Sequence, residues 1–261
     1  KILESAECKV CAIDRDSDSN KYAKILSQKF NTRFTFSNTK FSDLDFFLHK
    51  KNIKAIDGMV LDLGVSNTQL NDPRRGFSFN YNGPLDMRMD NINTKLTAEI
   101  IINEYDEKEL SDIFFYYGDE KNSRKIANSI VQFRKKKKID STKMLSDIIQ
   151  KINKYKFKHP ATRVFQALRI VINEELNELE EALKISLEIL TKNSRIVIVA
   201  FHSLEDKIIK NFFKKNGYKN FNDDKKNVFR IITKKPITPS SEEIKINPRS
   251  KSAKLRVAEK I

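Results

Sequence analysis

The chain is predicted to be an α/β protein: a parallel sheet with an all-helical subdomain inserted into it. Three observations carry this reading. Short apolar runs alternate with amphipathic stretches over residues 10–61, a pattern that gives parallel strands with helical crossovers. After Asp90 the pattern becomes helical with few breakers, and at Arg195 to Ala200 a strand returns.

In order, a strand over Val10 to Ile13 ends in Asp14-Arg15-Asp16, and the expectation is of a chain truncated at its front. A helix follows near Ser19 to Lys29, then a strand near Arg33 to Phe36 and a helix near Phe41 to Lys50. The next strand, ending at Leu61, is apolar enough to be buried in a parallel sheet. It breaks into a polar, glycine-punctuated loop running to Asp90, and ligands of open α/β sheets sit beyond such carboxyl ends. Asp62 lies at that edge. Helices are then expected over Thr97 to Asn103, Glu107 to Phe115, Glu120 to Lys135, Ser141 to Lys154 and Pro160 to Leu190. Past the strand at Arg195 come a helix from Leu204 to Lys215, a hairpin around Tyr218 to Thr233, and a basic, irregular tail from Lys234. The domain reading is therefore a sheet domain over 1–92 and 191–261 interrupted by a helical subdomain over 93–190, for which substrate recognition is expected.

With 261 residues the chain can bury a sizeable core. Its 50 basic against 35 acidic residues give a charge of +15, which favours a polyanionic partner, nucleic acid before an anionic membrane surface; a Lys-, Ile- and Asn-rich genome is the bland alternative. No apolar run approaches the length needed to span a bilayer and no charged-then-apolar leader opens the chain, so a soluble, cytoplasmic protein is expected. Cys8 and Cys11 form a lone C-x-x-C. On a strand an offset of three points the two thiols to opposite faces, and zinc would need two further ligands, so no metal, redox or disulfide role is assigned. The run Arg134 to Lys138 is either a solvated stretch or a phosphate contact.

Several residues invite functional readings. Asp14, at a strand end, matches an acid that accepts hydrogen bonds from ribose hydroxyls; the alternative, helix capping, is work that Asp16 or Ser17 can do. Phe41 suits either an adenine ring or the core. In Phe201-His202-Ser203-Leu204-Glu205-Asp206, Ser203 reads as N-cap with Asp206 at N3, which leaves His202 for substrate contact or a structural hydrogen bond. His49 and His159 read as local structure.

Ordered blocks along the whole chain resemble the bacterial small-subunit ribosomal RNA cytosine-N4 methyltransferases, the MraW-like small subunit methyltransferase H family. They are Ile13-Asp14-Arg15-Asp16; Leu61 to Asp90 with Arg75-Gly76-Phe77-Ser78-Phe79 and Gly83-Pro84-Leu85-Asp86-Met87-Arg88-Met89; His159 to Glu181 with Ala161-Thr162-Arg163-Val164-Phe165-Gln166-Ala167-Leu168-Arg169; Phe201 to Asp206; and Pro248 to Arg256. The resemblance implies a Rossmann-like class I S-adenosylmethionine-dependent methyltransferase with cofactor contacts at Asp14, Phe41, Asp62 and Gln69. It also places the family's glycine-rich loop, which follows a first central strand, before Lys1. Departures are Asn67-Thr68 for a usual Ser-Pro and Lys192-Asn193-Ser194 for a turn with paired glycines.

The implied reaction is in-line attack of a cytosine amine on a sulfonium methyl. That amine is a poor nucleophile, so an acceptor for its N–H is needed, with Asp62, Ser66 and Asn67 as candidates. An extruded base would stack on Phe77, Phe79 or Tyr81, and Arg75, Arg88, Arg163, Arg169, Arg249, Lys251, Lys254 and Arg256 would grip phosphates, with His202 a further substrate contact; a core aromatic or a structural ion pair is the alternative for each. The implied partner is small-subunit ribosomal RNA or the assembled small subunit, near the decoding centre, with no membrane partner and with homodimerisation left open. Two other readings compete: a non-catalytic RNA-binding or ribosome-assembly factor with an incomplete cofactor site, and methylation of DNA or protein by the same fold.

Overall fold

A computed structural model describes residues 1–154, 159–218 and 228–261. Along the chain run α1 (Ile2–Ser5), β1 (Val10–Asp14), α2 (Ser19–Phe30), β2 (Phe34–Asn38), α3 (Leu44–Lys50) and β3 (Ile56–Asp62). Then come α4 (Asn67–Asn71), α5 (Ala98–Glu104), α6 (Glu107–Gly118), α7 (Ser123–Arg134), α8 (Thr142–Ile152) and α9 (Thr162–Ile172). The chain continues with α10 (Glu175–Ile189), β4 (Leu190–Ala200), α11 (Ser203–Asn216), β5 (Gly217–Tyr218), β6 (Phe229–Ile231), α12 (Ser241–Ile246) and β7 (Lys254–Lys260). The fold is α/β, and the chain divides into a unit of Lys1–Gly64 with Leu176–Ile261 and a unit of Val65–Glu175.

The first unit holds the strands. β1 and β2 pair in parallel, Val10 opposite Phe34 and Asp14 opposite Asn38. Five further strands form a sheet in the order β3-β4-β7-β6-β5, with β3 parallel to β4 and β7 antiparallel to both β4 and β6. Among the described residues β1 has a partner on one side only, as has β3, so the single parallel sheet expected from the alternation is two sheets, one of them mixed. Met59 and Leu61 of β3 pack with Leu44 and Leu48 of α3, Leu179 and Leu183 of α10, Ile196 and Ile198 of β4 and Ile209 and Phe213 of α11. Only one face of β3 is covered: Val60 between them is 59 % exposed, contrary to the burial in a parallel sheet that its apolar sequence suggests. A separate small cluster of Leu3, Ala23 and Phe34 holds α1 and α2 against β2.

The second unit is a helical body with one long loop folded into it. Phe77, Leu85, Met87 and Met89 of that loop share a core with Ile101 and Ile102 of α5, Phe114 of α6, Ile126 and Ile130 of α7, Leu145 and Ile149 of α8 and Phe165 and Leu168 of α9. This shared core is why the boundary falls at 64/65 rather than 92/93: residues 65–92 belong by packing to the helices. The second boundary falls at 175/176 rather than 190/191, because α10 buries Leu179, Ala182 and Leu183 in the sheet unit.

Four local expectations give way. The helix read over Pro160 to Leu190 is two, α9 and α10, separated at Asn173 and at Glu174, whose φ is 52°. The hairpin around Tyr218 to Thr233 is not formed: β5 and β6 run parallel, and residues 219–227 lie outside the described residues. The irregular tail contains α12 and, in the middle of the sheet, β7. Cys8 lies before β1 and only Cys11 is in a strand, so the two-faced strand argument does not apply to the pair.

Candidate functional site

In the first unit the polar groups singled out from sequence lie at or just past the ends of strands. Asp14 closes β1; its Oδ1 accepts from the Asp16 N–H at 2.8 Å and its Oδ2 from the Ser19 hydroxyl at 2.8 Å. Asn38, opposite it at the end of β2, donates to the Asp14 carbonyl at 2.7 Å. The N-cap position of α2 is Asp18, without a side-chain capping bond, so neither Asp16 nor Ser17 is the cap. A carboxylate oxygen has two lone-pair sites and each oxygen of Asp14 spends one on these bonds, so the oriented pair can still accept from a vicinal diol. That acceptor chemistry fits the hydroxyls of a ribose.

Phe41 stands in a 3-10 turn ahead of α3 and is half-buried against the sheet core. That turn is tied down by Glu178 of α10, whose buried carboxylate accepts from the Ser42 N–H at 2.9 Å and from the Ser42 hydroxyl at 3.1 Å. Glu178 was not a sequence candidate, since nothing in a surface-like Asn-Glu-Leu-Glu-Glu run marks one acid as buried.

Asp62 is the last residue of β3, opposite Val199, and the chain leaves the sheet through a bond from the Leu63 N–H to the Val199 carbonyl at 3.1 Å. Desolvation first, and then the charge of Glu205, push the Asp62 carboxyl above its ordinary range. Glu205 itself is buried at 2 % exposure and grips the turn after β4: its Oε2 accepts from the Phe201 N–H at 2.8 Å and the His202 N–H at 3.2 Å, and its Oε1 lies 3.1 Å from His202 Nε2. His202 is the N-cap of α11 and Glu205 its N3 partner. The capping box predicted at Ser203 and Asp206 is thus displaced by one residue, and it is the Nδ1 of His202 that accepts from the Glu205 N–H, at 3.4 Å.

Asp206, freed from capping, faces β7. The register Ala200 opposite Lys254 brings the start of β7 to this same edge, where Lys254 Nζ lies 3.2 Å and Arg256 Nε 2.7 Å from its carboxylate. Burial works to raise the Asp206 carboxyl, but the hydrogen bonds and charges of Arg256 and Lys254 outweigh it and the net shift is downward. A carboxylate with a depressed folded-state pKa stabilises the fold above its unfolded pKa, and that contribution disappears as pH falls through the folded value. Arg256→Leu is therefore expected to cost roughly 2 kcal/mol at neutral pH, the cost vanishing in acid as Asp206 protonates. Urea melts of both proteins from pH 7 down to pH 3 check this: the difference between them should narrow, and a constant difference would refute it.

In the second unit Ser66 caps α4. Its Oγ accepts from the Gln69 N–H at 3.2 Å while the buried Gln69 side chain accepts from the Ser66 N–H at 2.8 Å, and Asn67 opens the helix. Arg75 donates to the carbonyls of Arg88 at 3.0 Å and Met89 at 3.1 Å. Arg88 pairs with Asp86 at 2.7 Å and donates to the Thr94 carbonyl at 2.8 Å. Phe77 is part of the core, and Phe79 lies face to face on His159 with ring centroids 4.0 Å apart, edge-on to Phe165. Of the three aromatics considered for base stacking, Tyr81 is the exposed one. Arg163 sits half-buried in the first turn of α9, and Arg169 makes a two-pronged pair with Glu175 at 2.7 and 2.8 Å.

Two features that sequence reading missed hold this loop. Asn173, fully buried, accepts from the Met89 N–H at 2.7 Å and donates to the Met87 carbonyl at 2.8 Å and the Arg169 carbonyl at 2.9 Å. Gly83 bonds Thr142 on both sides, and a Cβ there would lie 1.8 Å from the Pro73 carbonyl oxygen. Since backbone has to move to relieve such a clash, Gly83→Ala is expected to cost the second unit about 3 kcal/mol. A melt within 1 °C of wild type would contradict it.

A family model described as the MraW methylase family matches residues 1–261. The chain is 44 % identical over 263 residues to a protein named ribosomal RNA small subunit methyltransferase H from Ehrlichia canis (strain Jake), covering all of this chain and 88 % of that one. Proteins of the same name from Rickettsia akari (strain Hartford) and Carboxydothermus hydrogenoformans are 48 % and 43 % identical over 273 and 272 residues, each alignment covering all of this chain and 87 % of the relative. Among the described residues no helix is long and apolar enough to cross a membrane.

Proposed function

We propose, from the premise that the chain belongs to the MraW methylase family, that it methylates a cytidine of small-subunit ribosomal RNA at N4, near the decoding centre, using S-adenosylmethionine. The observation that supports this reading best is the strand-end set of Asp14, Phe41 and Asp62, with Asp62 held above its ordinary pKa, in a chain whose relatives bear one ribosomal RNA methyltransferase name. The bound donor supplies an electrophilic methyl and its own leaving group. When the donor is bound, Asp14 would accept from its ribose hydroxyls and Phe41 would hold its adenine. The chain's catalytic task is to accept a hydrogen bond from the amine while its nitrogen is methylated, and then to take or relay the released proton. Asp62, whose raised pKa makes it a better proton acceptor than an ordinary carboxylate, suits this, and Ser66 and Asn67, which follow it in the chain by four and five positions, are the other candidates.

Asp62→Asn is expected to lower methyl transfer to small ribosomal subunits about 100-fold or more, read as N4-methylcytidine after nucleoside digestion. A wild-type protein that binds S-adenosylmethionine yet never methylates RNA would replace this reading with that of a non-catalytic RNA-binding assembly factor. Duplex DNA or a protein outcompeting ribosomal RNA as acceptor would move it to another substrate class.

A further inference from the structure

The antiparallel pair α6 and α7 carries a surface that the reaction described above does not use. The two helices are joined by the Ser111 and Ser123 hydroxyls at 3.2 Å and by a bond from Asn128 to Glu107 at 2.9 Å. α7 contains no Asp or Glu over its 12 residues. Its inner face buries Ile126, Ala127 and Ile130, and its outer face presents Arg124, Lys125 and Gln132 to solvent, with Lys135, Lys136 and Lys137 following at its end. The run of cations that ends this helix divides by role. Arg134 donates to the carbonyls of Ile102 and Tyr105 and Lys138 pairs with Glu99, whereas Arg124, Lys125, Lys135, Lys136 and Lys137 have no ion-pair partner among the described residues. The acids of α6 are occupied: Asp112 holds Lys108 at 2.8 Å, Glu107 holds Asn128, and Glu109 caps its own helix. At the end of α6 two adjacent aromatics stand out of the surface, Phe115 at 53 % and Tyr116 at 63 % exposure, edge to face at 5.2 Å.

Like charges spaced over about 16 Å of helix, at 1.5 Å per residue from Arg124 to Lys135, repel one another unless a polyanion lies along them. Exposed aromatics on the same hairpin offer faces on which unpaired bases stack, and duplex RNA does not present unpaired bases. We infer that the α6–α7 hairpin binds a single-stranded segment of RNA, phosphates along α7 and bases on Phe115 and Tyr116, through residues other than those assigned to methyl transfer. This rests on the RNA methyltransferase reading and extends it from the reacting base to the strand that carries it.

The test is fluorescence anisotropy of a labelled single-stranded oligoribonucleotide from small-subunit RNA, titrated at several salt concentrations. In the variant R124A/K125A/K136A the slope of log K against log salt should shrink by about 2, three phosphate contacts at roughly 0.7 each. In F115A/Y116A affinity should fall roughly tenfold or more with the slope unchanged. All five side chains are exposed, so the variants should melt with wild type. Wild-type affinity and slope in either variant would overturn the inference, as would unchanged discrimination between the single strand and its duplex when the aromatics are removed. The parent reading fails by a different sign, the absence of methyl transfer by the wild-type protein, so the two are separable.

Discussion

Asn173→Ala is expected to destabilise the second unit by about 4 kcal/mol. The alanine removes the side chain that, among the described residues, partners two buried backbone groups, the Met89 N–H and the Met87 carbonyl. Each such group left unpaired in the interior costs roughly 1–3 kcal/mol. A further consequence follows from Met87, which is fully buried with φ at 61°, a left-handed conformation costing a side-chain-bearing residue about 1–2 kcal/mol unless its surroundings impose it. Asn173 is part of what imposes it, so its loss should let the segment from Leu85 to Met89 relax and carry Arg88 out of register with Asp86. Urea unfolding gives the stability change, and amide exchange at Met89 gives its location. A loss below about 1 kcal/mol with Met89 still protected would show that packing alone holds the loop.

Glu205→Ala is the second large effect, expected at roughly 3 kcal/mol, because the Phe201 and His202 N–H groups lose their acceptor together. Glu205→Gln separates the two roles of this residue. The amide oxygen can still accept from the turn, so most of the stability should remain, but the negative charge beside Asp62 is gone. Asp62 should then titrate lower, moved towards the ordinary carboxylate range and held above it only by desolvation. The sign is the reverse of Asp206: a carboxyl whose folded pKa is raised contributes stability that is present below its unfolded pKa and lost as pH rises through the folded value. Removing Glu205's charge therefore relieves a cost carried at neutral pH. NMR titration of the Asp62 carboxyl carbon reads this directly, and an unmoved midpoint would mean that the Glu205 charge does not reach it.

The elements that were legible in the sequence are those whose signal is local. Ser19–Phe30, Leu44–Lys50 and the helices of the second unit announce themselves by period, and Asp62 by its place between an apolar run and a loop. β7 was not legible, because Lys254, Arg256, Glu259 and Lys260 make a polar text out of a central strand. Its charges are tolerated there because they are partnered: Glu259, buried, lies between Arg195 at 3.2 Å and Arg230, and Arg256 meets Asp206. A pair formed across the sheet from residues so distant leaves no local pattern. The capping box slipped by one for a statistical reason: serine is a commoner N-cap than histidine, and only the buried position of Glu205 decides between them. The break at Asn173 carries neither proline nor glycine, so a continuous helix was the natural reading. The family blocks were legible throughout, since they are matched by identity rather than by period.

The antiparallel insertion of β7 between β4 and β6 has a bearing on biosynthesis. When Ala200 has left the peptidyl transferase centre, Lys254, its partner, is still unmade. At about 5–20 residues per second, about 3–11 s pass before that codon is read. Until residues 254–260 have emerged and paired, one edge of β4 keeps its N–H and C=O groups without their strand partner, the condition in which an exposed strand recruits foreign strands. The sheet is sealed only by residues 254–260, so a ribosome stalled before them would leave a chain whose helical unit is complete and whose sheet is open.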